Sequence, residues 1–334
     1  MKNINVISII VLAAVIMLGT VNQAHASSKA DRKGNVEYGK GAKLTKETLP
    51  VPYFSSLEAS AEYIPAEHTP VTGWDFVLKA DKMGVWELQD SIAEVILQGN
   101  VPNVMKQFRK LVFKTPVVDS VEILRESHKV ELWILTEYLT IGTDDNFIRM
   151  PMGPLAAQRI AESLDCILPT TYIVDRIAEA STGHLDIFPF RPLGDRNCQP
   201  IVFQDSNNAI NALYKERGYK FGDLISGLKK DVVLTYKIHT LSGYENRVAI
   251  YGWHVPDGSY IQPLYVKHVN YYVDYSHGIR LIYRKIKVDG KEYDAKEILE
   301  SPQMYRLLSD EPMYIRRATY EGLPKWYPQK SIGF

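Results

Sequence analysis

The chain has 334 residues, with 39 Lys and Arg against 39 Asp and Glu, so its formal charge is zero. Nucleic-acid binders carry a basic excess on one face, and this balance argues against such a partner. At 46% hydrophobic and 23% charged residues, the composition is that of a folded globular protein rather than a disordered one.

Met1 to Asn5 include one Lys and lead into an apolar run from Val6 to Thr20, followed by Ala24-His25-Ala26. A basic start, a short apolar core and small residues at its end make a secretory signal peptide over residues 1–26. Cleavage is expected near Ala26, giving a periplasmic or secreted protein. The run is shorter than the ~20 residues of a spanning helix, and no stable transmembrane span is expected after cleavage. Residues 27–50 are polar and Lys-rich, the texture of a flexible lead-in. Residues 51–334 then form one large domain of α+β class, divided into two lobes, if at all, near Ser226.

Ser56 can cap a short helix through Tyr63. Trp86 to Gln98 places Leu88, Ile92, Val95 and Ile96 at helical spacing, with Gly99 as its stop. Phe108 to Phe113 and His128 to Ile141 are rich in β-branched and aromatic residues and read as strands, followed by a turn at Asp144-Asp145-Asn146. Pro154 to Leu164 and the segment from Tyr172 to Ala180, capped by Thr170 or Thr171, form a helical hairpin. Leu185 to Phe190 is a short strand, and a helix starts at Asp205 or Ser206 and runs through Tyr214. Beyond Asp231 the pattern is mostly antiparallel sheet, with strands at Val232–Ile238, Arg247–Trp253 and Ile279–Val288, a hairpin turn at Val288-Asp289-Gly290-Lys291, and flanking helix between Lys296 and Leu308.

Chemistry-bearing side chains concentrate between Tyr251 and Leu281, where His254, His268, Asp274, Ser276 and His277 fall among Tyr and Gly. Histidine both takes and gives protons near neutral pH. His277 is therefore the candidate general base, oriented by Asp274, with Ser276 as nucleophile or substrate donor and His254 and His268 completing the cluster. The same His254, His268, Asp274 and His277 offer the nitrogen and oxygen donors that zinc accepts, although no H-E-x-x-H occurs; the hydrolytic chemistry itself requires no cofactor. Cys166 and Cys198 are the two cysteines, and export permits a bridge between them. Left free, Cys166 could attack a substrate with His277 as its base.

Ser276-His277-Gly278-Ile279-Arg280 resembles the Ser-His-Gly-Cys-x-Arg signature of the L,D-transpeptidase family, exported enzymes that cross-link peptidoglycan through a Cys nucleophile. Ser276, His277, Gly278 and Arg280 match. The nucleophile does not, since Ile279 directly follows Gly278, and the family's upstream His-Gly is Tyr251-Gly252 here, with His254 displaced. The likeness spans about thirty residues.

Arg280 or Lys230 could hold a substrate carboxylate, and Tyr251, Trp253 and Tyr275 could stack on a sugar or line a peptide groove. Together these residues point to an exported hydrolase of an extracytoplasmic polymer, peptidoglycan first. The alternatives are a zinc-dependent hydrolase using the same histidines and a non-catalytic glycan- or peptide-binding envelope protein.

Overall fold

The structure is a computed structural model and describes residues 40–60, 70–186, 189–240, 243 and 246–321. The expected signal segment, residues 1–26, lies outside the described residues. Strand β1 (Lys43–Pro50) opens the described chain and runs antiparallel to β2 (Gln107–Lys114), pairing Leu44 with Leu111 and Leu49 with Phe108. The lead-in expected over residues 27–50 therefore gives way to regular structure at Lys43. Its Lys, Thr and Glu side chains misled because β1 is an edge strand, where polar residues remain in water.

Helix α1 (Pro52–Ser60) is followed by α2 (Gly73–Ala80), whose first turn Thr72 caps by accepting from the Asp75 N–H. Helix α3 (Val85–Leu97) buries Leu88, Ile92 and Ile96 as their spacing requires. The strand expected over 128–141 is shorter: β3 (Lys129–Ile134) ends where the backbone turns to bond a distant segment, with Leu135 N–H donating to Leu281 and Leu139 N–H to Ile279. Strands β4 (Thr140–Gly142) and β5 (Phe147–Arg149) then form a hairpin around the expected Asp-Asp-Asn turn.

Helices α4 (Pro154–Ser163) and α5 (Thr171–Glu179) stand where expected, and Thr170 Oγ1 accepts from Ile173 N–H to cap the second. A short strand, β6 (Cys166–Ile167), separates them and pairs Cys166 with Tyr283. No bridge forms: both Cys166 and Cys198 are free thiols, the former in the core. Next come β7 (Gly183–His184), α6 (Pro200–Arg217) and β8 (Ile225–Ser226), with β7 and β8 parallel. Arg149 is fully buried, with its Nε on Glu137 and its Nη1 on Asn207 and Asn211, and so fixes α6 to β5.

The C-terminal part contains β9 (Lys230–Val232), α7 (Lys237–Thr240), β10 (Ile250–His254), β11 (Tyr260–Tyr265), β12 (His277–Gly278), β13 (Ile282–Tyr283), β14 (Lys285–Val288), β15 (Lys291–Asp294) and α8 (Ala295–Glu300). Asp289 and Gly290, both at positive φ, turn β14 into β15 as the sequence required. A seven-stranded sheet runs β1-β2-β3-β13-β6, with β14 also on β3 and β15 on β14; a four-stranded sheet runs β11-β10-β9-β12. Pairing is mostly antiparallel and the class is α+β. One apolar cluster extends from Val51 through Phe108 and Ile250 to Tyr320 and joins both sheets.

Candidate active site

The smaller sheet sets the site. Its central strand β9 pairs antiparallel with β10, Asp231 opposite Tyr251, and parallel with β12, Lys230 opposite His277. His254 and His277 thus stand on strands to either side of β9. Alternation along a strand sends neighbouring side chains to opposite faces, and the predicted residues accordingly fall into two groups rather than one.

The first group gathers around a cavity of about 20 Å³ lined by Tyr138, Lys229, Asp231, Trp253, His254 and Arg280, with α5 as one wall. Tyr138 Oη donates to Asp231 Oδ2 at 3.0 Å, while Asp231 Oδ1 is buried with no donor among the described residues. His254 Nε2 meets Asp175 Oδ1 of α5 at 2.9 Å, and the Tyr251 hydroxyl donates to the same oxygen at 2.9 Å. A carboxylate on Nε2 fixes the neutral ring with its proton there, leaving Nδ1 as the basic nitrogen. Arg280 lies over the Tyr138 ring at 4.3 Å and donates to the Leu135 and Thr136 carbonyls freed by the end of β3. Lys229 Nζ donates to the Tyr275 carbonyl at 2.5 Å.

Burial dominates the electrostatics of this group. It raises the Asp231 carboxyl to about 6 against the opposing Arg280 charge and Tyr138 hydrogen bond. Burial, with help from the Arg149 charge, lowers the Lys229 amine to about 7. Both groups consequently change protonation near neutral pH, as proton-transfer groups do.

The backbone here is strained in a way that fits a site. Trp253 has φ of +56°, an outlier for a bulky residue, next to a register shift in β10. Its indole is held by donation to the Gly227 carbonyl at 2.8 Å. Gly227, at φ +87°, has no room for a side chain, since a Cβ would sit 2.0 Å from the Leu185 carbonyl oxygen. Gly278 is similarly confined: a Cβ there would come within 2.6 Å of the Tyr138 ring.

The second group is Asp274, Ser276, His277 and His268. Ser276 donates both its N–H, at 2.8 Å, and its hydroxyl to Asp274 Oδ1 in a tight turn. The Asp274 carboxylate and the Ser276 hydroxyl therefore bond to each other and not to the His277 ring, whose residue meets Asp274 only through its backbone N–H on the Asp274 carbonyl at 3.1 Å. The His277 ring is fully buried with neither nitrogen hydrogen-bonded among the described residues, and burial lowers it to about 4 despite nearby Asp274. The hydrogen-bonded relay expected from Asp274, His277 and Ser276 is not formed. His268 stacks on Tyr272 at 4.2 Å, and Lys230 lies over the Trp253 ring at 5.6 Å. Among the described residues, no three or more His, Cys, Asp or Glu side chains gather as a metal ion would require, so the donor set proposed for zinc from His254, His268, Asp274 and His277 is not assembled.

The aromatic stretch is mostly interior. Tyr251, Trp253, Tyr260 and Tyr275 are buried, and the Tyr275 hydroxyl accepts from Phe190 N–H at 2.6 Å. Arg280 is likewise buried, its guanidinium held on the Leu135 and Thr136 carbonyls at the cavity and not on the open surface. Ile279, where the transpeptidase signature has its Cys, is fully buried. Cys166 is buried too, its thiol pushed well up by burial and by Asp165, the reverse of what a nucleophile needs.

Sequence reasoning missed Tyr138, Asp175 and Asp231. Only Asp231 left a signal, an acid opening the apolar run Val232-Val233-Leu234. No helix among the described residues is long and apolar enough to cross a membrane. A scan against family models finds no match, and neither curated proteins nor solved structures yield one.

Proposed function

We propose that this chain is an exported hydrolase of an extracytoplasmic polymer, with peptidoglycan the first substrate to test, and that its reacting groups are His254 and Asp231. One observation carries this reading: the buried, unpartnered Asp231 Oδ1 shares a small polar cavity with a histidine oriented by Asp175. A buried carboxylate oxygen with no protein donor among the described residues, beside a cavity, is where a water or substrate group would be held.

The cavity has room for about one water molecule, the nucleophile of a hydrolysis. His254 and Asp231 are themselves buried, so the polymer reaches them only where the cavity wall opens, and there His254 Nδ1 takes a proton from that water as it attacks. Asp231, protonated below about pH 6, gives its proton to the leaving group. Arg280, whose charge acts on Asp231, supplies positive charge to the cavity. A stacking platform for glycan or peptide has less support, because most rings of the Tyr-rich stretch are buried.

Incubation of the mature protein with purified peptidoglycan tests the proposal. Soluble fragments are expected from the native chain, and none above background from His254→Ala or Asp231→Asn. Co-sedimentation with the polymer and no release by any form would establish a binder instead.

A further inference from the structure

A second cavity, of about 360 Å³, opens between the N-terminal turns of α3 and α6, away from the Asp231 site. That volume falls in the range of small-molecule sites. Met83, Leu88, Ile201, Phe203 and Val273 give it an aliphatic and aromatic wall.

Its polar groups are few and ask for an acceptor. Gln89 lines the cavity at 7% exposure; its Oε1 accepts from Gly153 N–H at 2.6 Å, and its Nε2 donates to no group among the described residues. Gln89 is buried overall while its N–H₂ is open to the cavity, and that N–H₂ is the donor a ligand there would meet. The N-cap residues Gly84 of α3 and Gln199 of α6 lend no side-chain oxygen to their first turns, so both helices bring partial positive ends to the same space.

Full negative charge does not suit the site. No Lys or Arg lines it, and Asp81 does. Cys198 in its wall reports the same acidity: burial first, then Asp274 and Asp195, raise its thiol to about 12. A carbonyl supplies acceptor oxygen without a charge and, unlike a hydroxyl, brings no donor that would itself need a partner.

We propose that this cavity binds a neutral ligand with an aliphatic body and a carbonyl oxygen, an aliphatic amide of the kind found in N-acyl groups and short peptides, with the carbonyl on Gln89 Nε2. Nothing in this site depends on hydrolysis at His254. Its ligand is recognised whether or not the chain cleaves a polymer.

The protein carries its own probe, since Cys198 lies in the wall while Cys166 is in the core. The full chain is equilibrated with mixed disulfides under graded 2-mercaptoethanol. At alkaline pH, which its raised thiol requires, the Cys198 thiolate attacks the probe disulfide; the Cys198–probe S–S bond forms as the probe's own S–S bond breaks, and the leaving sulfur departs with the electron pair as a thiolate. Three probes are compared: N-isobutyryl cysteamine, cysteamine with its free ammonium, and 3-mercaptopropionate. The isobutyryl amide is expected to remain on Cys198, by peptide mapping, at severalfold higher 2-mercaptoethanol than the other two. Ile201→Trp, which introduces bulk from an exposed position, should abolish that preference without changing thermal unfolding. Equal retention of the three probes, or first preference for the carboxylate, would overturn the proposal.

Discussion

Tyr138 and Asp231 lie 93 residues apart, and the phenol donates to one oxygen of the carboxylate at 3.0 Å while the other oxygen is left without a protein donor. Half of the carboxylate is thereby anchored and half is free to act. The buried acid holds its proton to about pH 6, so polymer release should decline as pH rises above that value, by up to tenfold per unit. A rate that is flat from pH 5 to 8 would falsify Asp231 as the proton donor.

Tyr138→Phe should shift that limb. The phenol hydrogen bond favours the ionised carboxylate and opposes the burial that raises its pKa. Without it, Asp231 keeps its proton to still higher pH, and the fall in rate moves in the alkaline direction. Losing one buried hydrogen bond should also cost about 1–3 kcal/mol in denaturant unfolding. An unmoved pH profile in a folded Phe variant counts against the pairing as a functional one.

His254 and His277 should separate cleanly. Removing the base oriented by Asp175 is expected to lower turnover by roughly 10²–10⁴-fold in His254→Ala. His277→Gln, at a ring with no hydrogen bonds among the described residues, should leave turnover within severalfold. If His277→Gln is inactive while His254→Ala works, the Asp274 group is the site.

Lys229 makes stability depend on pH. Burial takes its pKa from 10.5 down to about 7. Between those values the unfolded chain holds a proton that the folded chain has released, so folding stability from this group rises as pH increases from about 7 to about 10. Below pH 7 both states hold it and the penalty is constant. Urea unfolding at several pH values should show a slope of up to about 1.4 kcal/mol per unit that Lys229→Met removes. The same slope in both proteins would mean that the amine titrates normally.

Gly227→Ala should be among the most damaging small changes in the chain. Its methyl would meet a backbone oxygen at 2.0 Å, and its φ of +87° is strained for any other residue. A loss of roughly 3 kcal/mol or more is expected. A melting temperature within a degree or two of the native chain would show that the Gly227 turn relaxes freely.

Much of the fold could be read from local pattern. Helices at 85–97, 154–163 and 171–179 follow from apolar spacing and from Pro154 and Thr170 at their starts. The turn at Asp289-Gly290 follows from φ preferences alone. What failed needed long-range knowledge. Lys43–Pro50 is a strand because β2 lies beside it, and residues 135–139 leave the strand because Ile279 and Leu281 compete for their N–H groups. The site divides the same way. His254 was legible as a reactive side chain in a dense segment, but its partner Asp175 sits in an amphipathic helix with nothing local to mark it. His277 looked equivalent in sequence and both rings are buried; the Asp175 carboxylate on His254, with no such partner for the His277 ring among the described residues, distinguishes the two.

Gly278, the register partner of Asp231 on the adjacent strand, has a consequence for the carboxylate. Its missing side chain is the clearance gauge between β12 and the Tyr138 ring. Any thickening there, by a single methyl, would lever the phenol off Asp231 without contacting either the acid or the histidine. The hydrogen bond that anchors a buried carboxylate thus depends on the width of a gap on the neighbouring strand.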